Sequence, residues 1–223
     1  MKQSEQHRAQ AVDFVRRRPR QSRAKDTVEV IFEATARILQ REGRTALNTN
    51  YIAESAGISV GTLYQYFPNK EAILVAMARN ELAIDEASVI QAITEPPQDG
   101  ETDLVRRAIR VLIRAYSRRR EARRVAFETM ISEGLGDELA NSVQKVAQTV
   151  SAESHRLLPD RAAPITPTNL FVITRAVSGV LRAASHERSP LLGTLEFENE
   201  LVKLVYSYVA ERQESPQMNA EER

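Results

Sequence analysis

The chain has 223 residues and a formal net charge of +1, and 42% of its residues are hydrophobic and 27% charged, which is typical of a folded globular protein. It contains no cysteine, which excludes disulfides, thiolate metal sites and a cysteine nucleophile. No apolar run of about 18 residues occurs, and no apolar segment follows the basic N-terminus, so we expect a cytoplasmic protein without a membrane partner.

Positive charge is concentrated at the N-terminus. The first 25 residues hold eight Lys or Arg and two Asp or Glu side chains, a net charge of +6, so the remainder carries −5. A basic arm on an acidic body favours attraction to a polyanion, and a merely solvated tail is the alternative. The polar composition and Pro19 predict that residues 1–22 form a flexible basic arm.

The first predicted helix follows this arm. Apolar side chains at helical spacing predict a helix over residues 23–42, which Gly43 ends as a C-terminal cap. A second, short helix is predicted to begin at Thr49, whose hydroxyl would cap it, and to end at Gly57.

Two further helices come before the middle of the chain. Ser59 is predicted to cap the third, which ends near Phe67 because Pro68 disfavours helical geometry in the residue before it. Asn69 is predicted to cap a fourth helix that extends to about Ile90.

The second half of the chain is also predicted to be helical. Residues 94–100 include two prolines and a glycine, which predict a loop, and no strand pattern follows. The predicted helices there are 102–120, 123–132, 137–157, 168–185 and 195–213. The expected fold class is therefore all-α. The predicted segments are an arm (1–22), a small helical domain (23–70), a connecting helix (71–93), a second helical domain (94–213) and a disordered tail (214–223).

The second and third predicted helices have the layout of a helix-turn-helix. Ala53 is small enough for two helices to cross closely, and Gly57 can adopt the left-handed conformation that the turn requires. Ile52, Ile58 and Leu63 supply a compact core. This pattern alone leaves two interpretations open, a DNA-binding motif and an ordinary helical hairpin.

Residues 62–74, which read TLYQYFPNKEAIL, favour the first interpretation. They closely resemble the signature of the TetR family of bacterial transcriptional regulators, in which the recognition helix ends in aromatic residues followed by a Lys-Glu pair. The resemblance covers residues 23–77. It implies an N-terminal three-helix DNA-binding domain and a C-terminal helical domain for effector binding and dimerisation.

The resemblance also implies which side chains contact DNA. Those expected to hold phosphates are Thr49, Tyr66 and Lys70. Those expected to face the major groove are Val60, Gly61, Thr62 and Tyr64, with Ser59 beside them. Family members often place a basic residue just after the position of Thr49, where this chain has Asn50 and Tyr51. We therefore expect weaker contacts there and compensation by the arginines of residues 16–23, among them Arg20 and Arg23.

Enzymatic interpretations are disfavoured. Residues 57–61 match the G-x-S-x-G pattern of serine hydrolases, but that motif needs a preceding strand, and Ser59 already has a role as a helix cap. The three histidines form no i,i+4 pair. We expect no enzyme activity, no cofactor and no metal.

An effector site is expected in the C-terminal domain. Nine arginines lie within residues 106–124, and they form either a solvated face, an anion-binding wall or a further DNA contact. Aromatic and methionine side chains nearby line a pocket or belong to the core. The candidate effector-binding residues are Arg110, Arg114, Tyr116, Phe127, Met130 and Phe171.

The last two predicted helices carry apolar stripes. By resemblance they form a dimer interface, and an intramolecular core is the alternative. The candidate interface residues are Val180, Leu181, Leu201, Leu204, Val205 and Tyr208. The sequence therefore predicts a homodimeric repressor that binds palindromic double-stranded operator DNA and is released by a small-molecule effector. The alternative function is a ligand-independent DNA-binding protein or an activator.

Overall fold

A computed structural model describes residues 22–96, 103–159 and 164–210, with the side chains of Ser22, Arg23 and Ala210 left out. Within these ranges all regular secondary structure is helical, so the predicted all-α fold is confirmed. Residues 1–21 of the predicted arm, Arg20 included, and the predicted tail lie outside the described residues.

The described residues form a series of helices, and a 3-10 turn (Arg44–Ala46) separates the first two. In chain order they are α1 (Ser22–Glu42), α2 (Thr49–Ser55), α3 (Val60–Tyr66), α4 (Lys70–Thr94), α5 (Leu104–Ser117), α6 (Arg120–Ser132), α7 (Gly136–Ala152), α8 (Ser154–Leu157), α9 (Pro167–His186) and α10 (Leu195–Ala210).

The helix boundaries agree with the prediction at most positions. The single helix predicted over 137–157 is interrupted at Glu153, which lies between α7 and α8. The helices predicted over 102–120 and 123–132 meet at Arg119, which has a left-handed backbone with φ of 44°. This left-handed conformation, which is strained in a non-glycine residue, turns the chain between α5 and α6. As a result α6 begins three residues earlier than expected.

The described residues form two compact units, 22–81 with 121–135 and 82–120 with 136–210. This division differs from the linear one predicted from the sequence, because α6 belongs to the first unit. Within that unit Gln40 accepts a hydrogen bond from the Glu121 N–H at 3.0 Å, and the buried Arg123 pairs with Glu81 at 3.4 Å. These polar contacts join α6 to α1 and to the first half of α4.

The core of the first unit is built from the apolar faces of its helices. Ile31, Leu63 and Ile73 are fully buried, and each comes from a different helix. The rings of Phe32 and Phe67 pack 6.0 Å apart between their centroids. Because Phe67 directly follows α3, its burial fixes the end of that short helix against α1.

The core of the second unit lies between α5, α9 and α10. Ile109, Val177 and Leu201 are buried there, and Leu157 of the short α8 packs against the same cluster. Helix α10 packs against both α5 and α9, and α7 packs against α9.

A buried carboxylate crosslinks α10 to α5. Glu198 accepts hydrogen bonds from Arg106 at 3.0 Å and from Arg110 at 3.0 Å, and its side chain is only 10% exposed. Hydrogen bonds from Arg110 and then from Arg106 hold the pKa of Glu198 below its usual value, against the opposing effect of burial.

Replacing this carboxylate should make stability depend on pH. We expect Glu198→Gln to lower the free energy of unfolding by about 1 kcal/mol at pH 7, since both arginines are partly solvated. A depressed pKa stabilises the folded state above the unfolded-state pKa of about 4.3, and this contribution disappears as the pH falls through the folded-state pKa. Urea denaturation should therefore show the difference from the parent chain shrinking below about pH 4.

The matched control is Glu200→Gln on the exposed side of α10, where the same charge is removed without a buried partner. A deficit for Glu198→Gln that stayed constant from neutral to acidic pH would contradict the assignment.

Candidate DNA-binding surface

The first half of the helix-turn-helix is organised by Asn48 and Gly57. The Asn48 side chain accepts a hydrogen bond from the Tyr51 N–H at 2.9 Å, so Asn48 caps α2. The sequence prediction assigned this cap to Thr49, and it was wrong by one residue because both types are good caps. Gly57 has φ of +68°, as predicted for the turn, and this left-handed conformation turns the chain from α2 toward α3.

Ser59 begins α3. Its hydroxyl oxygen accepts a hydrogen bond from the Thr62 N–H at 3.0 Å, which confirms the predicted cap, and it lies 2.8 Å from the Thr62 hydroxyl. Helix α2 comes before the turn, so in this part of the structure Ser59 does not follow the strand that a hydrolase nucleophile needs.

Two of the predicted DNA contacts are brought together. The Thr49 hydroxyl lies 3.1 Å from the Tyr64 hydroxyl, so the start of α2 and the middle of α3 are joined. Thr49 is partly buried, whereas Tyr64 is 40% exposed. A predicted phosphate contact and a predicted groove contact therefore share one small surface.

The exposed face of α3 includes one residue that the sequence analysis missed. Gly61, Tyr64 and Gln65 are exposed at helical spacing, whereas Val60 and Thr62 are half-buried. The Gln65 amide offers a donor and an acceptor, which suits the edge of an adenine. Its position four residues after Gly61 was the available signal.

Gly61 has a local environment that does not require glycine. A Cβ built there would meet only the Ser59 hydroxyl, at an ordinary distance of 3.7 Å. Glycine costs about 1 kcal/mol relative to alanine inside a helix, so its presence favours close approach by an external partner.

The other predicted phosphate contacts are partly engaged within the chain. The Lys70 ammonium donates to the Leu47 carbonyl at 3.2 Å, which leaves two of its N–H groups for another acceptor. Tyr66, the last residue of α3, is half-buried. Lys70 therefore orders the segment before α2 as well as carrying charge.

Asn50 and Tyr51 differ from each other in the structure. Asn50 is exposed on the surface, whereas the Tyr51 hydroxyl donates to a Glu42 carboxylate oxygen at 2.7 Å. This hydrogen bond raises the pKa of Tyr51. Tyr51 is thus engaged in tying α2 to the end of α1. The side chain of Arg23, at the start of α1, lies outside the described residues.

The candidate effector residues fall into both compact units. Arg110 and Arg114 line the same cleft in the second unit. Tyr116 packs against the core of that unit, and Phe171 is 58% exposed, with the Arg175 guanidinium 4.6 Å from its ring centre.

Phe127 and Met130 belong to the first unit instead. Met130 is fully buried in its core, which corrects its assignment as a pocket residue, and Phe127 lies under the Arg123 guanidinium at 4.7 Å. Apolar spacing alone did not distinguish a core position such as Met130 from a pocket position.

The candidate interface residues divide between a core and a surface. Leu181, Leu201 and Val205 are buried within the second unit, so they are corrected from interface to core. Val180 and Leu204 are exposed, and Tyr208 is half-buried.

The comparisons with known proteins agree with this architecture. The family model described as bacterial regulatory proteins of the tetR family matches residues 31–77, which span the helix-turn-helix. Over 56 residues the chain is 43% identical to the HTH-type transcriptional repressor KstR of Rhodococcus jostii, a match that covers 25% of this chain and 26% of that protein. Within residues 31–77 the chain therefore matches the tetR family of bacterial regulatory proteins.

Two solved structures extend the likeness of the fold to most of the chain. One is a TetR-family transcriptional regulator from Haemophilus influenzae, with a TM-score of 0.57 and 16% identity over 85% of this chain and 99% of that one. The other is the SmeT–triclosan complex, with a TM-score of 0.58 and 18% identity over 89% and 99% of the two chains. By contrast, the curated relatives are matched over 34% of their own length or less.

Two features are absent from the described ranges. No helix there has the length and apolar character that a bilayer crossing requires. No group of three or more histidine or acidic side chains in the same ranges could hold a metal ion.

The cap of α3 supplies a direct test of this local structure. Ser59→Ala should lower the free energy of unfolding by about 1 kcal/mol, because the Thr62 N–H loses its partner. Ser59→Asn should restore most of this stability, since asparagine is an equally good cap. Urea denaturation followed by circular dichroism measures both, and equal destabilisation by the two changes would argue against a capping role.

Proposed function

We propose that this chain is a homodimeric transcriptional repressor that binds a near-palindromic operator and releases it when a small molecule binds. The observation that carries the proposal is the face of α3, where Gly61, Tyr64 and Gln65 are exposed behind the Ser59 cap. It combines a close backbone approach with side chains that suit base edges. Because its target would be chromosomal DNA, the proposal implies action in the cytoplasm.

Phosphate contacts would come from the residues around this face. Thr49 and Tyr64 present adjoining hydroxyls, and Lys70 adds a positive charge at the N-terminus of α4, where free N–H groups also favour an anion. Tyr66 adds a further hydroxyl. Such contacts orient a protein on DNA without reading its sequence.

Repression and release by a small molecule are supported by two named proteins. KstR, which resembles this chain within the DNA-binding region, is named a repressor. SmeT, which shares the fold, is described in a complex with triclosan. For this chain we infer the same kind of output, with an effector of its own.

Dimerisation is supported by a stripe of exposed and half-buried residues on α9. The side chains of this stripe lie at helical spacing on the side of α9 away from the buried Val177 and Leu181. They are Val172, Ala176, Gly179, Val180 and Ala183. Since a Cβ at Gly179 would meet nothing within 4 Å, the fold of one subunit does not require a glycine there. A closely packed second helix would require one.

Helix α10 offers a second stripe. Phe197, Leu204 and Tyr208 are exposed or half-buried at helical spacing, beside the core-facing Leu201. A two-fold dimer would pair these stripes with their copies, so each head would meet a major groove about 34–36 Å from the other or at a multiple of that distance.

The DNA contact of Lys70 can be measured through salt. Lys70→Gln should weaken binding to all DNA sequences and reduce the magnitude of the log–log salt slope by about 0.9, because one phosphate contact is lost. Glutamine keeps a donor for the Leu47 carbonyl, which limits damage to the fold. The matched control is Lys203→Gln on the exposed side of α10. Equal slopes for Lys70→Gln and the parent chain would count against this contact.

The dimer is tested by a charge in the exposed stripe. Leu204→Glu should produce monomers in sedimentation equilibrium and much weaker operator binding, because a carboxylate would be buried in an apolar seam. Lys203→Glu introduces the same group outside the stripe and should leave the dimer intact. Val205 is unsuitable for this test because it belongs to the core. A folded Leu204→Glu variant that stayed dimeric would place the interface elsewhere.

A further inference from the structure

A polar cleft lies between the second half of α4 and helix α5, entirely within the second unit. Its volume is about 330 Å³. The residues that line it are Ser88, Gln91, Ala92, Glu95, Arg107, Arg110, Val111 and Arg114. Only Ala92 and Val111 among them are apolar, so this cleft suits a polar ligand rather than a long hydrocarbon chain.

Three guanidinium groups on one face of α5 belong to this cleft, and two of them are held by partners in the protein. Arg107 donates to the Ala92 carbonyl at 2.6 Å and to the Glu95 carbonyl at 2.6 Å, at the C-terminal end of α4. Arg110 donates to the Glu198 carboxylate at 3.0 Å. These contacts fix the positions of both side chains before any ligand arrives.

Arg114 differs from the other two. It is exposed at the cleft, and its side chain makes no hydrogen bond or ion pair with another residue of the described ranges. The carboxylates next to the three guanidiniums are Glu95, which accepts from the Gln91 amide at 2.7 Å, and Glu198. In the part of the chain that the structure describes, the Arg114 guanidinium therefore has no carboxylate partner.

We propose that this cleft binds a small organic anion whose carboxylate or phosphate group pairs with the Arg114 guanidinium. Arg110 adds a second, pre-positioned positive charge, and the Ser88 hydroxyl and Gln91 amide are neutral groups that hydrogen-bond the rest of the ligand. A planar guanidinium binds either anion through two parallel hydrogen bonds. That such an anion is the effector rests on the function proposed above, whereas the anion site itself is inferred from the residues of the cleft.

The site can be tested with simple probes. Citrate and glycerol 3-phosphate, titrated separately into the full chain at constant ionic strength, should bind the parent protein measurably in calorimetry. Arg114→Gln should weaken binding about tenfold or more, since the unpaired charge is lost. Arg118→Gln removes the same charge one turn further along, outside the lining of the cleft, and should bind within about twofold of the parent.

The two probes also identify the preferred head group, because the probe with the higher affinity carries that group. Failure of both to bind the parent chain would overturn the proposal. So would equal weakening by Arg114→Gln and Arg118→Gln, which would indicate general charge attraction. Operator binding without any probe is measured in parallel. If it is absent, the proposed function is contradicted. An anion site that passed the calorimetric test would still be supported in that case.

Discussion

The placement of α3 depends on the closure of one short turn. Gly57 reverses the chain because it accepts a left-handed backbone, and two residues later the Ser59 hydroxyl satisfies the Thr62 N–H at the start of α3. The buried Phe67 then fixes the other end of the helix. A helix of seven residues is marginal by itself, so these two ends and the burial of Leu63 determine where its exposed face lies.

The arginines of α5 and α6 mostly satisfy polar groups of the same unit. Arg107 covers carbonyl oxygens that α4 leaves without helical partners, and Arg120 does the same for the loop carbonyls of Ser189 and Leu192. Arg123 and Arg124 pair with glutamates of the first unit. A dense run of like charges is thus compatible with a stable fold, because each guanidinium supplies several donors in fixed directions.

Local signals predicted most of this structure, and long-range partners were what the sequence could not supply. Caps and breakers such as Gly43, Ser59 and Pro68 act on their immediate neighbours, so helix ends near them were predictable. The pairing of Arg110 with Glu198 joins residues far apart in the chain, and no periodicity reveals it. Apolar spacing identified the stripes of α9 but not which stripe faces the core, so Leu181 was assigned to the wrong side.

The two faces of α9 also bear on how related regulators diverge. Leu181 and Val177 hold the subunit together from one side of the helix, while Val180 and Ala183 are exposed on the other. A substitution on the outer side changes surface shape without disturbing the packing beneath it. If two copies pair through this outer side as proposed, duplicated chains that differ there would lose the ability to pair with each other while each kept its fold.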